Sequence, residues 1–315
     1  MSPASDQTTP NKRVALLAGG TGGAKLARGF HALNGCSLTV IANTGDDVDI
    51  YESKVCPDPD LVLFHIADMI NDRGWGIDGD TFHAMDQLEA IGAECWFRLG
   101  DRDLAICLER ARLLREGATL TDAITSISKP LIGTNTVVLP MCDEPVPTRI
   151  TSGGEELPFQ EFMILRQAQG PIDEVSFEGI DSAKPTPQVL ASIAEADAIV
   201  IGPSNPAISI GPILSVPGMT EALVSADAPI VVVSPLVGGE VVKGPTGAFL
   251  EAAGVELSPA GIASHYKALG VCDCLVADAA TEVVPTKVTN VLMDSLEAKL
   301  HVAKATIDLA GALTA

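Results

Sequence analysis

Five aspartates, Asp46, Asp47, Asp49, Asp58 and Asp60, fall within the run NTGDDVDIYESKVCPDPD from Asn43 to Asp60. Carboxylates this crowded repel one another unless a cation sits between them. Hard oxygen donors around an ion that keeps several waters and touches phosphates describe Mg2+. For any one of these residues a plainer reading stands beside it, a solvated acidic loop or an aspartate capping the helix after Pro59. In a dinucleotide-dependent enzyme one aspartate would instead hold a ribose hydroxyl, and the number of carboxylates argues against that.

Three further stretches carry residue types suited to anions. LLAGGTGGAKLARGF, Leu16 to Phe30, places four glycines in five positions between an apolar run and a helical pattern with Leu26, Phe30 and Leu33 on one face. A strand, a glycine turn and a helix bring backbone N–H groups and the positive end of a helix to one point, where a nucleotide phosphate is a natural guest. The dinucleotide fingerprint and the P-loop both fail letter by letter, because Lys25 stands where a third glycine belongs and no Gly-Lys-Ser/Thr ending follows. A turn that only lets the first helix pack on a sheet is the alternative. In IGPSNPAISIGPIL, Ser204, Asn205 and Ser209 offer small hydrogen-bonding groups between Gly202 and Gly211. RLGDRDLA sets Arg98, Asp101, Arg102 and Asp103 at a strand-to-helix junction, where a capping aspartate beside a surface ion pair is the local explanation.

The elements that must position these residues follow from hydrophobic patterning. Short apolar, β-branched runs at 14–18, 37–44, 135–140, 196–206, 228–235 and 273–278 alternate with helical stretches, as parallel strands covered on both faces do. The pattern predicts an α/β fold, a Rossmann-like doubly wound, mainly parallel sheet. From about 58 to 133 the texture turns to helical periodicity, broken at ECWFRLG. The expected organisation is a disordered tail over 1–12, a nucleotide-binding core over 13–57 and 134–315, and a smaller, mostly helical inserted domain over 58–133.

The chain has 315 residues, 47% of them hydrophobic, and a formal charge of −21 from 41 acidic against 20 basic side chains. That charge repels nucleic acid and anionic membranes at long range, so neither is an expected partner. It also means that an anionic substrate must be met locally, by amides, chosen cations or a metal. The seven cysteines are scattered without a C-x-x-C pair, the N-terminus lacks a signal-peptide apolar region, and no apolar run reaches membrane-spanning length. A cytoplasmic location is expected.

In order and spacing, GGTGGAK, NTGDD, PDPDLVLF, RGWGIDGDTFHAM, LGDRDLA, GPSNPAISIGPIL and VSPLVGG resemble the 2-phospho-L-lactate transferase family of coenzyme F-420 biosynthesis, from about Val14 to at least Gly247. The resemblance implies transfer of a phosphorylated three-carbon acid from a GDP-linked donor to the ribityl hydroxyl of a deazaflavin precursor, with release of GMP, Mg2+ present and a homodimeric Rossmann-like enzyme. Carried over by position, it implies Asp47 and Asp60 as catalytic carboxylates that also hold the metal, with Asp46 assisting. It implies Asp60 and Arg98 near the deazaflavin, and Gly20, Thr21, Gly22, Gly23, Lys25, Ser204, Asn205 and Ser209 on the guanosine side. The loop VDIYESKV departs from what the resemblance leads one to expect, which leaves phospholactate, phosphoenolpyruvate and phosphoglycerate donors open. Two rivals are a gluconeogenesis-factor type protein that binds a uridine nucleotide sugar, against which PDPD and GDRD speak, and an NAD(P)-dependent oxidoreductase, against which the missing third glycine speaks.

Overall fold

The computed structural model describes residues 11–241 and 245–314. Of the expected tail, residues 1–10 lie outside the described residues, and Lys12 opens the first strand. In chain order the elements begin with β1 (Lys12–Ala18), α1 (Gly20–His31), β2 (Cys36–Ala42), a hairpin of β3 (Val48–Ile50) and β4 (Ser53–Val55), and α2 (Pro57–Ile66). Then come α3 (His83–Ala90), α4 (Asp101–Arg115), α5 (Leu120–Ile132), β5 (Thr136–Pro140), β6 (Thr148–Ser152), β7 (Glu155–Pro158), β8 (Glu174–Phe177), α6 (Pro187–Ala194) and β9 (Ala198–Ile201). The chain continues through α7 (Gly211–Ser215), α8 (Met219–Val224), β10 (Ile230–Val233), β11 (Leu236–Val237), β12 (Glu240–Val241), α9 (Thr246–Ala252), α10 (Pro259–Ala268), β13 (Cys274–Ala277), β14 (Thr286–Val288) and α11 (Leu296–Thr314).

Seven strands form one parallel sheet in the order β14-β13-β10-β9-β1-β2-β5, the doubly wound sheet expected from the apolar runs. β1 shows why those runs are continuous. Val14, Leu16 and Ala18 pack with Leu26 and Phe30 of α1, Val62 of α2 and Val302 of α11 on one face. Ala15 and Leu17 pack on the other face with Val189 of α6, Leu223 of α8 and Tyr266 of α10. A strand covered on both faces has no position to give to a polar residue. The edge strand β14, with the burial-poor sequence TKV, lacks that signature and escaped sequence reading.

Within the stretch 58–133, α2 packs along α1, and α5 packs on β5. Val55 of the β3–β4 hairpin shares a small apolar cluster with Leu99 and with Cys107 of α4. A second sheet that the sequence did not announce, antiparallel in the order β7-β6-β8, stands apart with Ile150, Phe159 and Phe162 packed against Phe249. Among the described residues, no helix is long and apolar enough to cross a membrane.

The contact between α1 and α11 depends on a missing side chain, since a Cβ on Gly29 would lie 2.4 Å from the Lys299 carbonyl oxygen of α11. Gly29→Ala is expected to lose about 1–3 kcal/mol in urea unfolding, the usual scale of forced overpacking. Gly311→Ala, whose new Cβ meets nothing within 4 Å, should leave stability unchanged or slightly raised. Equal effects at the two positions would show that helix packing does not set the difference.

Candidate active site

Strand order reverses between β1 and β9, and in open α/β sheets ligands bind outside the carboxyl ends of the strands at that point. The glycine turn leaves β1 there, Asn43 leaves β2 beside it, and Ser204 to Ser209 leave β9 opposite. Fully buried Asn43 ties them together. Its Nδ2 donates to Asp46 Oδ1 at 3.0 Å, to Asp58 Oδ2 at 2.8 Å and to the Ile208 carbonyl at 3.3 Å, while its Oδ1 accepts the Gly45 amide at 2.8 Å. Asp58 Oδ1 in turn accepts the Gly20 amide at 2.6 Å. The first turn of α1 has no acidic residue of its own, so Asp58 of α2 supplies the anion that a helix start favours. Burial pushes Asp58 up to about 6 against the opposing pull of those two hydrogen bonds. Burial, and then the neighbouring Asp58, push Asp46 well above the carboxylate range.

The glycines of the turn serve close packing as well as backbone exposure. A Cβ on Gly19 would lie 2.6 Å from Asp58 Oδ2, on Gly22 2.0 Å from the Pro203 carbonyl oxygen, and on Gly23 2.6 Å from Ser204 Oγ. Gly20 adopts φ +60°, open to glycine at no cost. Ser204 Oγ straps the turn by donating to the Gly19 carbonyl at 2.6 Å and accepting the Gly19 amide at 3.2 Å. Asn205 caps the wide helical turn Pro206–Ile210, its Oδ1 accepting the amides of Ala207 and Ile208, while its buried Nδ2 has no partner among the described residues. Ser209, on that turn, is buried against Gly19. Such one-residue expansions of a helix are frequent at functional sites. Gly20, Gly22, Gly23, Ser204, Asn205 and Ser209 are therefore brought together at the carboxyl ends of β1 and β9. Thr21 and Lys25 sit half-buried on the first turns of α1.

A second knot holds the remaining carboxylates. Arg110 of α4 is 1% exposed; its Nη2 donates to Asp60 Oδ1 and its Nη1 to the Lys54 carbonyl at 2.8 Å. Burial opposes the charge on Arg110, but Asp60 beside it holds the guanidinium firmly protonated. Burial also raises Asp60 despite that arginine, and pushes Asp47 up to about 7 against Lys54 and a hydrogen bond from Cys56. Asp103 is likewise pushed up to about 7 by burial and by the charge of Asp60. Asp47 Oδ1 and Asp60 Oδ2 are buried oxygens with no hydrogen-bond partner among the described residues. Carboxylate oxygens withdrawn from water and left unpaired are the hard donors that a divalent cation satisfies, so the residues fit one.

A cavity of about 380 Å³ opens beside this knot. The acidic loop contributes Asp46 and Asp47, the hairpin Lys54, and the second sheet Arg149 and Phe159, with Trp96 on the remaining wall. Two residues on from Trp96, Arg98 pairs with Asp86 and Glu89 of α3, its guanidinium 5.7 Å from the centre of the Phe82 ring. Asp60 and Arg98 are thus each engaged by a different partner. Sequence reading did not single out Arg110 or Asn43 as site residues, and it counted Asp58 in the acidic cluster without giving it a role of its own. For Arg110 the available signal was spacing: Asp103, Cys107 and Arg110 fall on one face of a single helix.

Residues 14–307 match the profile of the family described as 2-phospho-L-lactate transferase CofD. The chain belongs to that family. A phosphoenolpyruvate transferase of Streptomyces coelicolor is 38% identical over 95% of this chain and 98% of its own length. A 2-phospho-L-lactate transferase of Methanocaldococcus jannaschii is 36% identical over 95% and 99%. A solved UPF0052 family protein from Bacillus halodurans superposes with a TM-score of 0.57 at 21% identity, over 89% of this chain and 88% of that one, a likeness of fold. The family carries the Arg110 and Asp60 question into chemistry, because a carboxylate paired inside the protein must be held in place before it can act. Arg110→Leu should cost about 3–5 kcal/mol by leaving a buried carboxylate uncompensated. Adding Asp60→Asn should recover much of that loss in urea unfolding; simple additivity of the two losses would count against the pair as the cause.

Proposed function

We propose that this chain moves a phospholactyl-type group, derived from 2-phospholactate, phosphoenolpyruvate or phosphoglycerate, from a GDP-linked donor to the ribityl hydroxyl of 7,8-didemethyl-8-hydroxy-5-deazariboflavin, releasing GMP in coenzyme F-420 synthesis. Family membership and the names of its full-length relatives support the reading. The observation that carries it is the pair of buried oxygens without a partner among the described residues, Asp47 Oδ1 and Asp60 Oδ2, of which Asp47 lines a cavity walled by Trp96 and Arg149 while Asp60 lies behind it, held by Arg110.

In this reaction the hydroxyl oxygen attacks the phosphorus next to the acid, the bond to the bridging oxygen breaks, and its electron pair leaves with GMP. Placement and charge neutralisation supply most of the catalysis in such transfers. A divalent ion at Asp47 and Asp60, with Asp46 beside them, would neutralise the pyrophosphate. Asp47, on the cavity wall, orients the acceptor hydroxyl and takes its proton late, a contribution of roughly 10²–10⁴-fold for a well-placed base. Arg110 fixes Asp60 so that only one of its oxygens is free. On the donor side the Gly20 amide is already taken by Asp58, which leaves Thr21 and Gly22 as the next amides of the helix start and Asn205 Nδ2 as a side-chain donor.

Incubation of purified protein with the deazaflavin precursor and each of the three GDP-linked donors, read by mass spectrometry, should yield one phosphodiester product and GMP. Excess chelator should abolish the product and Mg2+ restore it; full turnover in chelator would remove the ion from the reading. Asp47→Asn and Asp60→Asn should each lose at least ~100-fold in turnover, the scale for a missing catalytic group, Asp47→Asn with stability kept and Asp60→Asn with a lowered melting temperature from the unpaired Arg110, its rate being read on the folded fraction. Asp49→Asn, on the exposed side of the same loop, should matter far less. A normal rate in Asp60→Asn would refute the assignment.

A further inference from the structure

We propose that Asp103 of α4 is a further protein ligand of the divalent cation, completing with Asp60 of α2 a site that spans the two helices. The inference deepens the proposed function and rests on its divalent ion. Ligand atoms of Asp60, Asp103 and Cys107 all lie within 4.8 Å of one another, and among the described residues this is the one such group of three. The independent sign of a missing partner is Asp60 itself, 5% exposed, with Oδ2 buried and unpaired.

Asp103 has no structural duty that would explain its position. The start of α4 is served by other carboxylates. Asp80 Oδ1 accepts the Arg102 amide at 2.9 Å and its Oδ2 the Asp103 amide at 3.2 Å. Asp101 accepts from Thr81 Oγ1 at 2.6 Å and from the Ala84 amide at 2.9 Å, which joins α3 to α4. Among the described residues, the carboxylate of Asp103 accepts only a long contact from Cys107 Sγ, at 3.9 Å on Oδ1. It faces Asp60 with Arg110 as the near cation, whose Nη groups go to Asp60 Oδ1 and the Lys54 carbonyl, while its buried Nε has no partner among the described residues. Two carboxylates against one arginine leave a negative surplus in a place poor in water, which a divalent ion removes.

The set also indicates the class of ion. Cys107 is fully buried, and its thiol points as a donor toward Asp103. Used in that way, it steadies a carboxylate and contributes no soft ligand, so the site takes Mg2+ or Mn2+ in preference to Zn2+.

Titration of the full-length protein with Mn2+, followed by electron paramagnetic resonance of the free ion, tests this. The unsubstituted enzyme should bind Mn2+ in competition with Mg2+. Asp103→Asn should weaken binding at least ~10-fold, the lower end of what loss of a metal-site group costs. The Mn2+-induced rise in melting temperature should shrink in step, since an ion that binds the native state stabilises it. Glu94→Gln, at an exposed position, should bind as the unsubstituted chain does. Should Asp103→Asn not fold, Asp103→Cys offers a gain of function: preference should move from Mn2+ toward Cd2+. Native Mn2+ affinity in folded Asp103→Asn, or no change of preference in Asp103→Cys, overturns the proposal. So does loss of Mn2+ in Cys107→Ser with Asp103→Asn unaffected. Product formation by the unsubstituted enzyme reports the transferase reading separately: product with Asp103-indifferent Mn2+ binding defeats the inference alone, and Asp103-dependent binding without product supports the inference and defeats the transferase reading.

Discussion

The Asp58 carboxylate lies between the Gly20 amide and the side-chain amide of Asn43, and four elements end at that contact. β1 delivers the glycine turn, β2 delivers Asn43, α2 delivers Asp58, and the wide turn after β9 adds the Ile208 carbonyl. A buried carboxylate without such donors would be costly, and a helix start without an anion would leave its first amides unpaired. Each deficit cancels the other. The acidic loop starts from this knot, because Asn43 also holds Asp46 and the Gly45 amide.

Two residues along α2, just over half a turn, the same problem is solved differently. Asp60 is balanced by a buried arginine from α4, and the arginine also grips the hairpin through the Lys54 carbonyl. Desolvated ion pairs of this kind rarely add net stability over apolar residues of the same shape. What this pair adds is placement, since it fixes which Asp60 oxygen is used by the protein and which is left over. The hairpin between the two knots turns through Tyr51 and Glu52, both with positive φ, and Tyr51 is anchored by a 2.8 Å hydrogen bond to the Phe97 carbonyl. Non-glycine residues in that region are strained and persist where their surroundings hold them. Here the hairpin supplies Lys54 to the cavity wall.

The two halves of the site therefore have different physical characters. The crevice around the glycine turn is close-packed, its amides and hydroxyls largely engaged with one another. The carboxylate side keeps buried oxygens without partners among the described residues, that of Asp47 next to open volume. The first suits recognition by shape and a few N–H groups, and the second suits a charged group that needs room.

Much of the architecture was legible in the chain. Runs such as IVVV and AIVI are short, β-branched and apolar at every position, which suits a strand buried on both faces, and their alternation with helical stretches made the parallel sheet legible. The glycine turn and the aspartate cluster were legible too, as residue types whose spacing suits anions and cations. Tertiary structure decided what each one faces. Among five neighbouring aspartates, Asp58 serves the helix start, Asp49 points to solvent near Lys54, and Asp47 and Asp60 keep unpaired oxygens, distinctions set by partners far away in sequence. Arg110 shows the reason most plainly, since it lies 50 residues from Asp60 and belongs to no motif, and only the packing of α4 against the hairpin brings its charge to the carboxylate. Local sequence sets propensity and chemistry, while burial and pairing are properties of the assembled chain.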